Sequence, residues 1–318
     1  MQQEPAIATR DLCKSYGDHV VLDGVDLEVP AGSVYALLGP NGSGKTTTVK
    51  ILSTLLPPDA GNVRVGGHDV VAEPDAVRAL IGVTGQFSAV DDLLTGEENL
   101  RLMADLHHLP GARARWRVAE LLDRFDLVAA ARRPASGYSG GMRRRLDLAM
   151  TLVGDPRIIF LDEPTTGLDP RSRRDLWQIV RGLVADGGTV LLSTQYLDEA
   201  DALADRIALL DRGHFVAEGT PVELKRLVPG GHLRIDFADE RAFTAAAAGH
   251  PDATTESDTL TLRIPSDGSL RSMRTVLDAL DDRTVATVSL HTADLDDVFL
   301  ALTGPAATDN ATDKEPTR

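Results

Sequence analysis

Three short segments of this chain hold residue types that could do chemistry together. The first is the glycine-rich turn Gly39-Pro40-Asn41-Gly42-Ser43-Gly44-Lys45-Thr46-Thr47. Gly39, Gly42 and Gly44 let the backbone curl so that its N–H groups point inward at phosphate oxygens, and Lys45 adds a point charge for β- and γ-phosphates. Thr46 offers a hydroxyl for Mg2+, and Thr47 a further phosphate contact. The second segment, Phe160-Leu161-Asp162-Glu163-Pro164, ends an apolar run on two carboxylates. Asp162 suits the Mg2+ shell, and Glu163 suits a catalytic base that polarises an attacking water. The third is Tyr138-Ser139-Gly140-Gly141-Met142-Arg143. Ser139 supplies a hydroxyl, Gly140 and Gly141 supply unobstructed N–H groups, and a helix beginning at Met142 points its positive end at whatever sits there, which suits a γ-phosphate.

These segments need elements to place them. Val34-Tyr35-Ala36-Leu37-Leu38 is apolar without a break, which reads as a buried strand feeding the glycine turn and a helix from Lys45 to Leu52. Residues 157–162, 189–193 and 206–210 read as further buried strands, alternating with helices over 171–185 and 197–204. That alternation implies a mainly parallel sheet, with Asp162 and Glu163 at its carboxyl edge beside the phosphate loop. Short strands are expected near residues 6–9 and 20–22. From about Ser88 to Met150 the apolar spacing is helical, with helices expected at 97–106, 112–125 and 141–152. After Pro229-Gly230-Gly231 the pattern changes to strands near 232–237, 254–257, 259–264 and 285–291 and helices near 240–247, 269–280 and 294–302. The order suggests a small ferredoxin-like α/β unit. The expected domains are therefore 1–228 and 231–304, with a polar, disordered tail over 305–318.

Composition excludes several alternatives. A chain of 318 residues with 42% hydrophobic content can fill two cores. Its net charge of -15 and pI near 4.9 argue against general nucleic-acid binding, which needs a positive field. The local run Arg143-Arg144-Arg145 fits a helix face and the adjacent phosphate site better than a DNA contact. No apolar run approaches the roughly 18–20 residues needed to span a bilayer, and Met1-Gln2-Gln3-Glu4-Pro5 lacks the order of a secretory signal, so a cytosolic chain is expected. The single Cys13 suits a reducing compartment.

Ser-Gly-Gly before a basic helix, placed between the phosphate loop and the acidic strand, resembles the signature of ATP-binding-cassette (ABC) ATPases. The resemblance implies a P-loop ABC nucleotide-binding domain with a mainly parallel core sheet, antiparallel N-terminal strands and a helical subdomain at about 88–152. It also implies ATP and Mg2+ as ligands and assigns more residues. Tyr16, in Lys14-Ser15-Tyr16-Gly17, matches the aromatic that stacks on adenine. Gln86, in Thr84-Gly85-Gln86-Phe87, matches the glutamine that reaches Mg2+ and the attacking water. Thr166-Gly167-Leu168-Asp169 matches the loop that crosses a dimer interface. In that family Ser139, Gly140, Gly141 and Met142 would close on ATP held by the partner protomer's phosphate loop, so a homodimer is implied.

The sequence departs from the common pattern in two places. Tyr138 and Met142 replace the signature's usual Leu and Gln, and Gln195 stands where a switch histidine is usual. A glutamine can hydrogen-bond a γ-phosphate but cannot titrate near neutral pH, so Gln195 is expected to position and Glu163 to supply the base. With these variants, the runs 138–146, 194–201 and 295–304 resemble the daunorubicin/doxorubicin-resistance type of ABC ATPase. That implies efflux of hydrophobic drugs through a separate membrane permease, at the cytoplasmic face of the membrane. The segment after Gln86 through about Asn99 would meet the permease, although Phe87, Leu93 and Leu94 equally suit the core of the helical insertion. Leu295, Val298, Phe299 and Leu302 share one helix face, which either packs on the small domain or docks on the dimer or permease. Rival readings are export of lipid, polysaccharide or sodium, and a non-transport ABC ATPase. A P-loop kinase or switch would have no use for Ser139-Gly140-Gly141.

Overall fold

The computed structural model describes residues 4–85, 88–227, 231–266, 269–280, 284–291 and 294–303. They fall into two units, residues 1–221 and 222–318. In the first, β1 (Ile7–Tyr16) and β2 (His19–Val29) pair as a hairpin, and β3 (Val34–Leu38) runs into α1 (Lys45–Leu52). β4 (Ala60–Val65), β5 (His68–Asp69), α2 (Pro74–Leu80) and β6 (Ile81–Thr84) follow. Then come the helices α3 (Gly96–Leu106), α4 (Gly111–Arg124) and α5 (Gly140–Thr151). The unit resumes with β7 (Ile158–Asp162), α6 (Pro170–Ala185), β8 (Thr189–Thr194), α7 (Leu197–Leu203), β9 (Arg206–Asp211) and β10 (His214–Gly219). α8 (Pro221–Lys225) begins at the division.

One sheet has the order β2-β1-β4-β5 and is antiparallel, while the other has the order β10-β9-β3-β8-β7-β6. Its pairs are parallel except at β10. Side chains alternate across a strand, and the buried residues sort accordingly. Tyr35, Leu37, Ile158, Phe160 and Leu191 enter the core shared with α1 and the antiparallel sheet. Val34, Ile159, Leu161, Val190 and Leu192 enter the core shared with α3 to α6. Both faces of the parallel sheet are thus covered, which is why its strands read as unbroken apolar runs. Withdrawing a side chain such as Phe160 from water contributes about 1.5–3 kcal/mol.

Because β8 lies between β3 and β7, the carboxyl ends of these three strands share one edge. Side chains cap the starts of two of the surrounding helices. The Thr95 side chain and Glu98 form a reciprocal capping box at α3, and Asp169 accepts from the N–H groups of Arg171 and Ser172 at α6.

The structure differs from the sequence reading in several elements. β4, β5, β6, β10, α2 and α8 are additional. β5, β6 and β10 lie at sheet edges, and β4 and β10 show a broken, half-exposed burial pattern that hides them from an apolar-run criterion. α5 spans Gly140–Thr151, one residue ahead of the expected 141–152 at each end, with Ser139 as its N-cap. Two glycines disguise the first turn, since glycine is a poor helix former.

The second unit runs β11 (His232–Phe237), α9 (Glu240–Gly249), β12 (Thr254–Glu256), β13 (Thr261–Pro265), α10 (Leu270–Leu277), β14 (Val285–His291) and α11 (Leu295–Thr303), and its four strands form one antiparallel sheet of order β12-β13-β11-β14. A βαββαβ chain with its first strand between the third and the last is the ferredoxin-like arrangement. Leu233, Ile235 and Phe237 alternate into its core with Phe243, Leu262, Ile264 and Val276. α11 buries Leu295 and Val298 and leaves Leu300 and Leu302 exposed.

Candidate functional site

The loop between β3 and α1 encloses a cavity of about 300 Å³, lined by His19, Val21, Asn41, Gly42, Gly44, Lys45, Thr46, Thr47 and Glu163. Gly44 is the N-cap of α1 at φ 113, and no side chain caps the helix there, so the first amides of α1 are left for a ligand. Only glycine fits: a Cβ at Gly44 would come within 2.6 Å of Leu22 Cδ2. Ser43 has a buried Oγ with no hydrogen-bond partner among the described residues. An orphan hydroxyl in this loop is a group that a phosphate oxygen would satisfy.

Lys45 is 4% exposed and donates from Nζ to the carbonyls of Gly39 (2.8 Å) and Pro40 (2.9 Å). Burial pushes its ammonium below the usual lysine value, and the charges of Glu163 and Asp162 oppose that shift. At the end of β7, Asp162 is buried, and its Oδ1 accepts from Thr46 Oγ1 at 3.3 Å and from Ser193 Oγ. A carboxylate and a hydroxyl in contact make the all-oxygen donor set that Mg2+ takes. The residues present therefore fit that ion.

Glu163 follows at φ 48, a left-handed conformation rarely adopted by a side chain of its kind. Its N–H donates to the Ser193 carbonyl (3.0 Å), and Thr166 Oγ1 donates to its Oε2 (3.3 Å). The strained residue is the one that lines the cavity beside Lys45 and Thr46. Gln195 comes directly after β8, whose last carbonyl, on Thr194, accepts from Gly39 N–H at 3.3 Å. That bond ties the Gln195 segment to the start of the phosphate loop.

Tyr16 ends β1 opposite His19, which lines the cavity, and the residue is 49% exposed. Gln86 lies outside the described residues. The signature segment stands apart: Ser139, Gly140, Gly141 and Met142 do not line the cavity around Lys45. Ser139 and Gly140 are exposed, and Ser139 Oγ accepts from Met142 N–H (3.2 Å). A Cβ on Gly141 would meet Ser172 Oγ at 2.5 Å, so a glycine is needed where α5 abuts the start of α6. Leu168 lies beside Gly140, 4.0 Å from where a Cβ would stand.

Several neighbours escape a motif reading. Ser193 and His19 belong to no motif. Arg144 turns inward, whereas Arg143 pairs with Asp92 and Arg145 with Asp126 (3.1 Å), so each of the three arginines is engaged within the chain. Glu199 on α7 is fully buried, takes Trp177 Nε1–H on Oε1 (3.3 Å), and leaves Oε2 unpartnered among the described residues. The signals were available in part: Asp147 stands three residues after Arg144, on the same helix face.

A family model described as ABC transporter matches residues 22–166. The chain is 50% identical over 323 residues to the daunorubicin/doxorubicin resistance ATP-binding protein DrrA of Streptomyces peucetius, covering 98% of this chain and 97% of that protein. It is 49% identical over 305 residues to the daunorubicin resistance ATP-binding protein DrrA3 of Streptomyces coeruleorubidus, covering 95% and 96%. Among solved structures, a dimeric ATP-binding cassette bound to ADP and Pi in a post-hydrolysis state is 28% identical, with a TM-score of 0.61 over 67% of this chain and 98% of that one. A phosphate cradle, an acidic strand end and a capped Ser-Gly-Gly helix agree with these matches: the chain is an ATPase of the ABC transporter family, of the daunorubicin/doxorubicin-resistance type of ATP-binding subunit.

Proposed function

We propose that this chain is the motor of a drug exporter, hydrolysing ATP in a homodimer whose two sites are each shared between protomers. The observation that carries the reading is the separation of the site into two faces. Lys45, Thr46 and Glu163 line one cavity, and Ser139 to Met142 form a helix terminus outside it. In this reading the phosphates lie against the amides of the loop and Lys45, and Tyr16 stacks on the adenine. Thr46, Asp162 and Gln86 would hold Mg2+, which supplies charge neutralisation on the β- and γ-phosphate oxygens. Glu163 accepts the proton of the attacking water, and Gln195 orients the γ-phosphate without titrating.

Ser139, Gly140, Gly141 and Met142 of one protomer close on the γ-phosphate held by the other. ATP bound by both faces favours the closed dimer by its differential affinity, and hydrolysis releases it. No helix among the described residues is long and apolar enough to cross a membrane. A separate membrane permease would supply the path for the hydrophobic drug, with this chain at the cytoplasmic face, and the segment after Gln86 through about Asn99 would meet it. The test is drug accumulation in cells expressing this chain with its permease. Cells with the unaltered pair should accumulate less drug than cells carrying Lys45→Ala, and equal accumulation would overturn drug efflux.

A further inference from the structure

Arg144 is the second arginine after the signature's Met142, and its side chain is 12% exposed. It points away from the exposed helix terminus and into the protein. Its guanidinium donates to four acceptors on three segments. Nε donates to the Pro164 carbonyl (2.7 Å), and Nη2 to the Asp162 carbonyl (3.4 Å). Nη1 donates to the Gly85 carbonyl (3.2 Å) and to Asp147 Oδ2 (3.0 Å). Asp147 in turn accepts the Ala89 N–H on its other oxygen, Oδ1, at 3.0 Å.

Two consequences follow from this geometry. The carbonyls on either side of Glu163 are both held by one planar cation, and Glu163 is the residue kept at φ 48. Such a conformation persists only when its surroundings over-determine it. In addition, one ion pair on α5 grips Gly85 and Ala89 together with the Glu163 turn. Arg143 and Arg145 do nothing comparable, since they pair with Asp92 and Asp126.

We infer that Arg144 is a positioning residue for hydrolysis, fixing the turn that carries Glu163 against the signature helix and the strand-end segment at Gly85. The inference rests on Glu163 being the base. A lysine would keep the charge and its pair with Asp147, but a single ammonium cannot reach the carbonyls of Pro164, Asp162 and Gly85 from one place. The helix terminus at Ser139 and the cavity at Lys45 are untouched by that change.

The experiment measures kcat and KM for ATP, with thermal melting, on the full chain carrying Arg144→Lys, Arg144→Met or Glu163→Gln. Arg144→Lys should melt near the unaltered protein and lose roughly 10- to 100-fold in kcat, with KM within about threefold. Arg144→Met should lose at least as much kcat. Unchanged kcat in Arg144→Lys, or a loss carried by KM, overturns the inference. A folded population too small to assay in Arg144→Lys also overturns it, by making Arg144 a folding residue. Glu163→Gln separates the two readings: normal turnover there removes the base itself, whereas loss there with normal Arg144→Lys removes only the positioning role.

Discussion

Two helix N-termini in this chain carry serine and glycine beside a basic residue, yet they are built for opposite purposes. At α1 the cap is Gly44, with no side chain on the first amides, a buried Lys45 and an orphan Ser43 hydroxyl facing the same loop. At α5 the cap is Ser139, which already takes the Met142 N–H, on an exposed turn braced by Ser172 and Leu168. The first is a recess with its donors left for a ligand, and the second is a face presented outward. A helix dipole alone does not decide which anion binds where; the surrounding side chains decide whether a terminus makes a pocket or a lid.

The largest effect is expected at the carboxylate that lines the α1 recess. Glu163→Gln should lower ATP turnover about 10²- to 10⁴-fold, the range of a lost general base, while equilibrium binding of ATP changes little. Turnover within a few-fold of normal would remove Glu163 from the chemistry. Lys45→Ala should weaken nucleotide affinity roughly 100-fold in direct binding measurements, because a charge-assisted contact in a buried recess is lost. Gly141→Ala should do the reverse. Its Cβ forces Ser172 aside and displaces the presented face, so turnover should fall about tenfold while ATP affinity of the isolated protomer is kept. A matching loss of affinity would mean that the two termini are not separate in function.

The smallest expected effect lies in the shared support. Burial pushes the Glu199 carboxyl above its ordinary 4.5, and the nearby polar groups of Thr194, Thr165 and Trp177 oppose that shift. The folded protein therefore binds more protons than the unfolded chain above that value, and stability falls as pH rises through the folded pKa. Glu199→Gln removes this penalty. Its melting temperature should exceed that of the unaltered protein by roughly 2–4 °C at pH 8, with the gap closing towards pH 4. A gap independent of pH would show that the carboxyl is charged in both states at no cost.

What the sequence reveals follows from how local each cause is. The phosphate loop is legible because its strand, turn and helix are consecutive, and β7 because its apolar run ends on Asp162 and Glu163. The ferredoxin-like order of the second unit is legible from alternation in β11 and β13. Edge strands such as β6 and β10 are not: β6 is only four residues with a glycine inside it, and β10 alternates exposed and half-buried positions. Three adjacent arginines look equivalent in sequence, yet the 100° step of a helix sends Arg144 inward to Pro164 and leaves Arg143 and Arg145 at Asp92 and Asp126. The φ of Glu163 has no sequence signal, because glycine is what that conformation ordinarily selects.

Shared sites can be tested by mixing two impaired chains. One carries Lys45→Ala and keeps its signature face; the other carries Gly141→Ala and keeps its phosphate recess. In a two-fold dimer their mixed form has one site with both faces damaged and one with both intact. ATP turnover of an equal mixture should then rise above that of either chain alone, towards roughly a quarter of the unaltered rate if half the dimers are mixed. A mixture no more active than its components, in sample shown to contain mixed dimers, would contradict the account.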